Sequence, residues 1–418
     1  MFAAAIALGA CSNLLDVENP GAIVEDNLKD PQVIPGLVNG AVAEFQRAFD
    51  GVAFYGGIFT DELNDYQVFF EDRPIDLRDV TPSNGLLNSY VYTPLQRARA
   101  AGDHNADRLK SLLGDKASSS LDVARLLDYA GYSYLLLAET YCQAPIDVGK
   151  AQSPDDLFKA AIDRFNQAIT IAAAARAAGA SAASADSLTS LAHVGAARAA
   201  LDRNDKATAL THAQAVPAAF QFWVTHSDNS LRENNLIYDA TRTGNNYASV
   251  DPAFLNLNDP RVPTDTKPSA VAFNVSFFAW IPYQPSSYEK WNGQLTPLEK
   301  ATSIRFASGL EAQYIAAEAQ GPTAATLAFV NARRTVGKQA PVTLTGDALM
   351  AELRDQRRRE FFLAGYRMGD LRRYKQFYAV DQFPTGVWPG DQKSVYSTTA
   401  TCFPIPQSEL NGNPNLGS

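Results

Sequence analysis

From Leu121 to Val216 the chain is written in the period of the α-helix, and that run limits the fold more than any other stretch of its 418 residues. The segment LDVARLLDYAGYSYLLLAETYCQAP places Val123, Leu127, Ala130, Tyr134, Leu137 and Tyr141 four and three residues apart, an apolar stripe on one face. The stripe stops at Pro145. The next run, SPDDLFKAAIDRFNQAITIAAAARA, offers Ser153 as N-cap, Pro154 at the first helical position and acids in the first turn. The two helices together make one helix–turn–helix pair, the unit of helical repeats. An Ala/Ser/Gly linker, AAGASAASADS, leads to a second pair, in which Ala196, Ala199 and Ala200 let helices approach closely and Asn204 and Asp205 make the turn. Helical text resumes at SIRFASGLEAQYIAAEA, where Glu311, Tyr314, Ile315 and Glu318 recur at helical spacing, and Asn331, Arg333 and Arg334 end the following helix before Gly337.

The remaining text is different in kind. Residues 12 to 40 are punctuated by Pro and Gly, with a helix start expected near Pro31, and AVAEFQRAF continues that helix. From Thr60 to Gly85 the sequence TDELNDYQVFFEDRPIDLRDVTPSNG mixes acids, aromatics and Pro, which suits an exposed functional loop. Trp, Tyr, Pro, Asn and Gly dominate about 217–300, so loops with a few short strands are expected there. The Pro-, Asn- and Gly-rich ending is expected to close without a helix. The expected class is all-α, mainly helical, with tetratricopeptide-like helix pairs over about 31–215 and 301–377.

Charge raises a question at LRDQRRREFFLAGYRMGDLRRYKQF, residues 353–377, which holds eight of the 36 Lys and Arg in a chain with 45 Asp and Glu and a net charge of −9. An acidic chain of pI about 5.1 is poorly suited to phosphate backbones. As one helix, the run places Leu353, Phe361, Ala364, Met368 and Leu371 on an apolar face, with Arg357 filling the gap. Glu360, three residues on, is its expected partner, and Asp355 and Asp370 offset further charges. A packing helix accounts for such interleaved acids; a phosphate-binding helix would leave its cations on an open face.

The three cysteines form no C-x-x-C pair and the four histidines are scattered, so no zinc set, other metal or cofactor is expected. Cys11 follows the small-residue stretch MFAAAIALGA and reads as a lipobox, L-G-A-C, whose cysteine carries the lipid. A buried cysteine in a plain apolar N-terminus is the alternative. A full signal also has a basic residue ahead of its apolar stretch; none stands in the ten residues before Cys11, as in a truncated signal or a misplaced start. No other apolar run is long enough to span a membrane. Cys142 and Cys402 each precede a Pro-containing turn; after export to an oxidising compartment a bridge between them is one reading and two buried free thiols the other.

Taken in order, the lipobox, YCQAPID, DPRVP, IRFASGLEAQYIAAEA, VNARRTVG, LRDQRRREFFLAGYRMGDLRRY and CFPIPQSELNGNPNL resemble the SusD/RagB family of outer-membrane nutrient-binding lipoproteins. The most specific matches are the pattern R-R-x-E-(apolar)-x-x-x-G-x-R-x-x-D-L-x-R over Arg357–Arg373, and P-I-P-x-x-E with a following N-P-x-L over Pro404–Leu416. The chain departs from the family at Cys142, where a Gly is usual, and at Tyr374, where a Trp is frequent. The resemblance implies one SusD-like domain over 12–418, after a signal over 1–11. It implies lipid anchoring on the outer face of the outer membrane. It also implies a non-catalytic part in capturing oligosaccharide, or in some members peptide, for a SusC-like TonB-dependent transporter.

Sugar capture without catalysis uses aromatic platforms beside amides, carboxylates and Arg. The candidates are Tyr66, Phe69 and Phe70 with Asn64, Asp65, Asp72 and Arg73 in the first loop, and Trp280, Tyr283, Tyr288 and Trp291 in the second. Each aromatic alone has the plainer reading of packing its loop onto the scaffold. Two other classes compete. A glycoside hydrolase needs two carboxylates facing across a cleft, for which Asp61 with Glu62, or Asp65 with Asp72, are the available pairs. A tetratricopeptide scaffold binding only protein explains the helix pairs but neither the lipobox nor the P-I-P ending.

Overall fold

The computed structural model describes residues 30–66, 71–242, 247–265, 269–270 and 278–416. Cys11 and the candidates Phe69 and Phe70 lie outside them. A single 3-10 turn, Pro31–Val33, capped by the Asp30 carboxylate on the Gln32 N–H, opens into α1 (Ile34–Phe59). The second half of α1 is buried on all sides, its one acid, Asp50, meeting His226. Phe45, Phe49, Val52, Phe54, Ile58 and Phe59 are all buried, which makes it the central helix of the core.

Beyond α1 the chain forms β1 (Leu63–Asp65), α2 (Asp72–Asp76), α3 (Gly85–Leu87) and a π turn (Asn88–Tyr92) that runs directly into α4 (Thr93–Leu113). Next come α5 (Leu121–Thr140), β2 (Ala144–Pro145), β3 (Ala151–Gln152), α6 (Pro154–Ala177), α7 (Ala182–Asp202) and α8 (Lys206–Gln214). Each of α4 to α8 packs on its neighbour in sequence, the arrangement of stacked helix pairs. The caps follow the sequence, with Ser120, Ser153, Ser181 and Asp205 each accepting a backbone N–H of the first turn. Close approach depends on small residues: the Phe165 ring of α6 sits between Gly131 of α5 and Gly195 of α7. A Cβ on Gly195 would lie 2.3 Å from that ring.

The loop-rich region carries β4 (Gln221–Val224), α9 (Leu236–Arg242), β5 (Ala248–Val250), β6 (Ser269–Ala270) and β7 (Phe278–Ala279). After it come β8 (Ile304–Ser308), α10 (Gly309–Gln320), α11 (Ala324–Val336), α12 (Gly346–Glu360), α13 (Arg367–Tyr378) and α14 (Gln407–Gly412). The strands pair antiparallel and only in twos, β1 with β5, β2 with β3, β4 with β8 and β6 with β7. The mainly helical expectation holds. Among the described residues no helix is long and apolar enough to cross a membrane.

Four local expectations change. The described residues of Thr60–Gly85 do not form an exposed loop: β1 pairs with β5, and Asn64, Asp65, Asp76 and Arg78 are buried. The ending does contain a helix, α14, started by the turn at Pro406. The basic run is two helices, because the chain reverses through Phe361–Gly365 with Leu363 and Gly365 in the left-handed region, φ 56° and 77°. That reversal brings Asp370 back onto Arg357, 2.7 Å from its Nε, so Asp370 and not Glu360 is the partner. Glu360 instead meets Arg261, Arg305 and Arg333 from other elements.

The run is nonetheless a packing device. Arg358 and Arg359 share Asp355, Arg367 faces Asp61 and Lys375 meets Asp381. Arg372 donates to the carbonyls of Ala138, Glu139 and Tyr141 at the C-terminal end of α5, where the helix dipole favours a cation. Arg373 is surrounded by Glu318, Asp202 and Asp370. Close by, Cys142 and Cys402 form a disulfide with Cα atoms 5.1 Å apart, beside backbone bonds between Cys142 and Phe403 and between Phe403 and Thr140.

Candidate functional site

The sequence candidates come together through β5. Its register sets Asn64 opposite Ser249 and Asp65 opposite Ala248, and the Tyr66 N–H donates to the Tyr247 carbonyl at 2.8 Å. On the other edge, Val250 N–H donates to the Trp280 carbonyl and Trp280 N–H to Ser249 Oγ, both at 2.9 Å. The first and second loops, more than two hundred residues apart, are thereby stitched to one short strand.

What they present is mostly support. Asn64 donates to Asp76 and to the Tyr396 hydroxyl, and Asp76 also accepts the Asp65 N–H at 2.7 Å. Asp72 is buried, and burial pushes its carboxyl up to about 6 although a hydrogen bond to Asp65 opposes this. Tyr66 is half-buried against Trp388, ring centroids 6.0 Å apart, and Arg73 lies 5.0 Å over the same indole while pairing with Asp391. Tyr283 is half-buried under the Arg242 guanidinium at 4.7 Å. Trp280 is half-buried beside β5.

Two candidates are elsewhere. Tyr288 is buried in the core, its hydroxyl donating to the Leu363 carbonyl at 2.9 Å, so its ring is not available to a ligand. Trp291 donates its indole N–H to the Pro260 carbonyl at 2.9 Å, and Pro260 lines a separate cavity of about 290 Å³ with Val262 and Leu295.

A cleft of about 590 Å³ lies close to these loops, between α1, the π turn with the start of α4, and α9. Its aromatic walls are Tyr90 and Tyr247, both half-buried. Tyr90 is backed by the buried Tyr55 (5.7 Å) and covered by Arg47 at 4.8 Å, while Tyr247 stands edge-on to the buried Phe54 at 5.9 Å. Tyr55 itself lies among Tyr247, Asp72, Tyr90 and Asp65, and burial with these neighbours raises its hydroxyl far above the ordinary phenol range. The acid pair of the first loop is therefore behind the cleft, not in it. Arg97, Asp239 and the Arg232–Glu44 ion pair (2.7 Å) supply polar groups, and the exposed Leu231 stands at the rim.

The position of Tyr90 has a local cause. Pro94 lacks the N–H that a regular helix would return to the Tyr90 carbonyl, and the backbone widens into a π turn there. That carbonyl rests on α1 at Gly51, where a Cβ would come within 1.7 Å of it. Neither Tyr90 nor Tyr247 was selected from the sequence: SYVYTP reads as a helix start and GNNY as loop, and only the pairing of β1 with β5 brings them together.

Behind β1 lies a row of acids raised by burial. Glu62, whose Oε1 accepts the Leu363 N–H and whose Oε2 has no partner among the described residues, is pushed up to about 8, Asp61 to about 7 and Asp251 to about 6. A carboxyl whose folded pKa is raised holds its proton more tightly folded than unfolded, so stability falls as pH rises from about 4.5 to about 8. We expect urea midpoints at pH 5.5 to exceed those at pH 8.5, with Glu62→Gln narrowing the gap; each group adds at most about 1.4 kcal/mol per pH unit. Equal midpoints for the unmodified protein, or a wider gap in the variant, would contradict this. Among the described residues no group of three or more His, Cys, Asp or Glu is placed to hold a metal.

Stacked helix pairs carrying a ligand-sized cleft on a loop-rich flank define the class, and comparison with known proteins shows what the chain is similar to. Residues 316–418 match the model of the SusD family. Over nearly its whole length the structure is similar to a SusD superfamily protein from Bacteroides vulgatus, at 15% identity and TM-score 0.65, covering 93% of this chain and 98% of that one. A SusD-like carbohydrate binding protein from the same species gives 15%, 0.64, 92% and 97%, and one from Bacteroides fragilis 14%, 0.63, 93% and 100%. No curated protein matches the sequence. The chain has the SusD fold, and the SusD/RagB resemblance carried by Arg357–Arg373 and Pro404–Leu416 is borne out, both motifs lying inside the matched residues.

Proposed function

We propose that this protein is a non-catalytic, lipid-anchored outer-membrane protein that captures an oligosaccharide and passes it to a TonB-dependent transporter. The observation that carries the reading is the cleft: two tyrosine rings held rigidly from behind, with Arg, Glu and Asp side chains around them, match what a sugar's apolar faces and hydroxyls require. The shared fold of SusD-like carbohydrate binding proteins supports it. Lipid attachment at Cys11 would hold the protein at the membrane with all its folded residues outside it.

A panel of polysaccharides in affinity gels tests the cleft. We expect retardation by at least one glycan, weakened about tenfold or more by Tyr90→Ala and by Tyr247→Ala, with the bound oligosaccharide recovered uncleaved. Retention by peptides alone, or hydrolysis products in the eluate, would overturn the reading. Cys11→Ala should move the protein from the membrane fraction to the soluble one. A neighbouring reading frame for a large outer-membrane barrel with a plug domain supports the transporter pairing.

A further inference from the structure

Arg354 is the member of the basic run that meets neither a carboxylate nor a backbone carbonyl among the described residues. Its guanidinium lies 5.6 Å over the Tyr374 ring, and its Nε is buried without a hydrogen-bond partner there. On the same flank Lys206, the first residue of α8, holds its ammonium 5.2 Å over Tyr378 and has no ion pair among the described residues. The two rings are themselves stacked, centroids 6.3 Å apart at 27°. A column of cation, tyrosine, tyrosine, cation thus spans α12, α13 and α8.

Lys206, Arg354 and Tyr378 line a cavity of about 320 Å³, and none of its elements contributes to the cleft at Tyr90. Met350, Pro322 and Val380 make its apolar side. Two acids also reach it. Glu318 is already satisfied by the Arg373 fork, at 2.7 and 3.0 Å, and by the Tyr378 hydroxyl at 3.2 Å. Asp347 is exposed. Two cations therefore face one unengaged carboxylate, and the cavity carries a positive excess.

We infer that this cavity binds a small carboxylate carried on a ring, either an aromatic acid or a uronic acid at the end of a glycan. The carboxylate would sit between Arg354, whose planar fork suits it, and Lys206. The ring would lie on Tyr378 and the apolar side, and the volume is at the lower end of ligand pockets, enough for one ring. Cation–π contacts alone explain why each cation is tolerated, but not why both converge on one cavity with a buried donor unsatisfied.

Calorimetric titration of the full chain with phenylacetate, glucuronate, phenylethanol and phenethylamine tests this. One equivalent of phenylacetate or glucuronate should bind. Phenylethanol should bind about tenfold more weakly or worse, and phenethylamine not at all. Arg354→Gln and the exposed Lys206→Gln should each weaken the carboxylate about tenfold or more while leaving the thermal midpoint near that of the unmodified protein. Which acid binds identifies the source. Binding of neither acid, a neutral analogue as tight as phenylacetate, or unchanged affinity in Lys206→Gln would overturn the assignment.

Discussion

Arg373→Met should destabilise the protein by about 3–5 kcal/mol, the range for breaking one side of a buried ion network. The residue is 2% exposed, and its guanidinium meets Glu318 at two positions, Asp202 and Asp370. Removing it leaves three carboxylates from α7, α10 and α13 in a space closed to water, with only Arg357 still holding Asp370. Burial pushes the Asp370 carboxyl up, but Arg357 and Arg373 outweigh that and hold it below the ordinary carboxylate range. A carboxylate with a depressed folded pKa stabilises at neutral pH and loses that contribution as pH falls through its folded value. The cost of the variant should therefore shrink in acid. An exposed pair gives the contrast: Arg176 and Asp186 are 56% and 59% exposed, and Arg176→Met should change stability by less than about 1 kcal/mol. Urea unfolding followed by circular dichroism measures both. A loss below about 1 kcal/mol for Arg373→Met would show that the network relaxes or admits water.

The basic run is the packing element that its interleaved acids imply, but it is two helices and not the one that its spacing suggests. Periodicity and caps are local signals, so the helices from Leu121 to Gln214 and the Ser153 cap were legible from the chain alone. The reversal at Phe361–Gly365 was not. Leu363 there adopts a left-handed conformation that an L side chain disfavours, and it is held by Glu62 on its N–H and Tyr288 on its carbonyl, partners far away in sequence. The same contact removes Tyr288 from the candidate site. An aromatic in a loop carries no mark of whether its hydroxyl will find a buried carbonyl or face solvent. Conversely, Tyr90 looked like helix text because its exposure comes from a π turn at Pro94 and from Gly51 of α1, features that have meaning only once α1 and α4 are packed. Composition located the loop-rich flank; tertiary pairing chose which rings line the cleft.

Cys142→Ser with Cys402→Ser should cost roughly 5 kcal/mol in oxidising solution, close to the ceiling for one crosslink. The bridge closes a loop with a sequence separation of 260, so the unfolded chain it constrains is far more restricted than one held by a short loop. It also joins the chain just past the C-terminal end of α5 to Cys402, two residues before the P-I-P ending. The Phe403 N–H to the Thr140 carbonyl (2.8 Å), the Cys142 N–H to the Phe403 carbonyl (3.0 Å) and Arg372 on the Tyr141 carbonyl already hold that junction in the folded state. Because those contacts keep the two ends together without the sulfur bond, the double variant should fold to the same structure, and the loss should appear as a lower urea midpoint with an increased slope. Dithiothreitol should lower the midpoint of the unmodified protein by the same amount and leave that of the variant unchanged. If the reductant shifts both equally, or if alkylation of the unreduced protein labels both cysteines, the bridge is not what fastens the C-terminal segment to the helix stack.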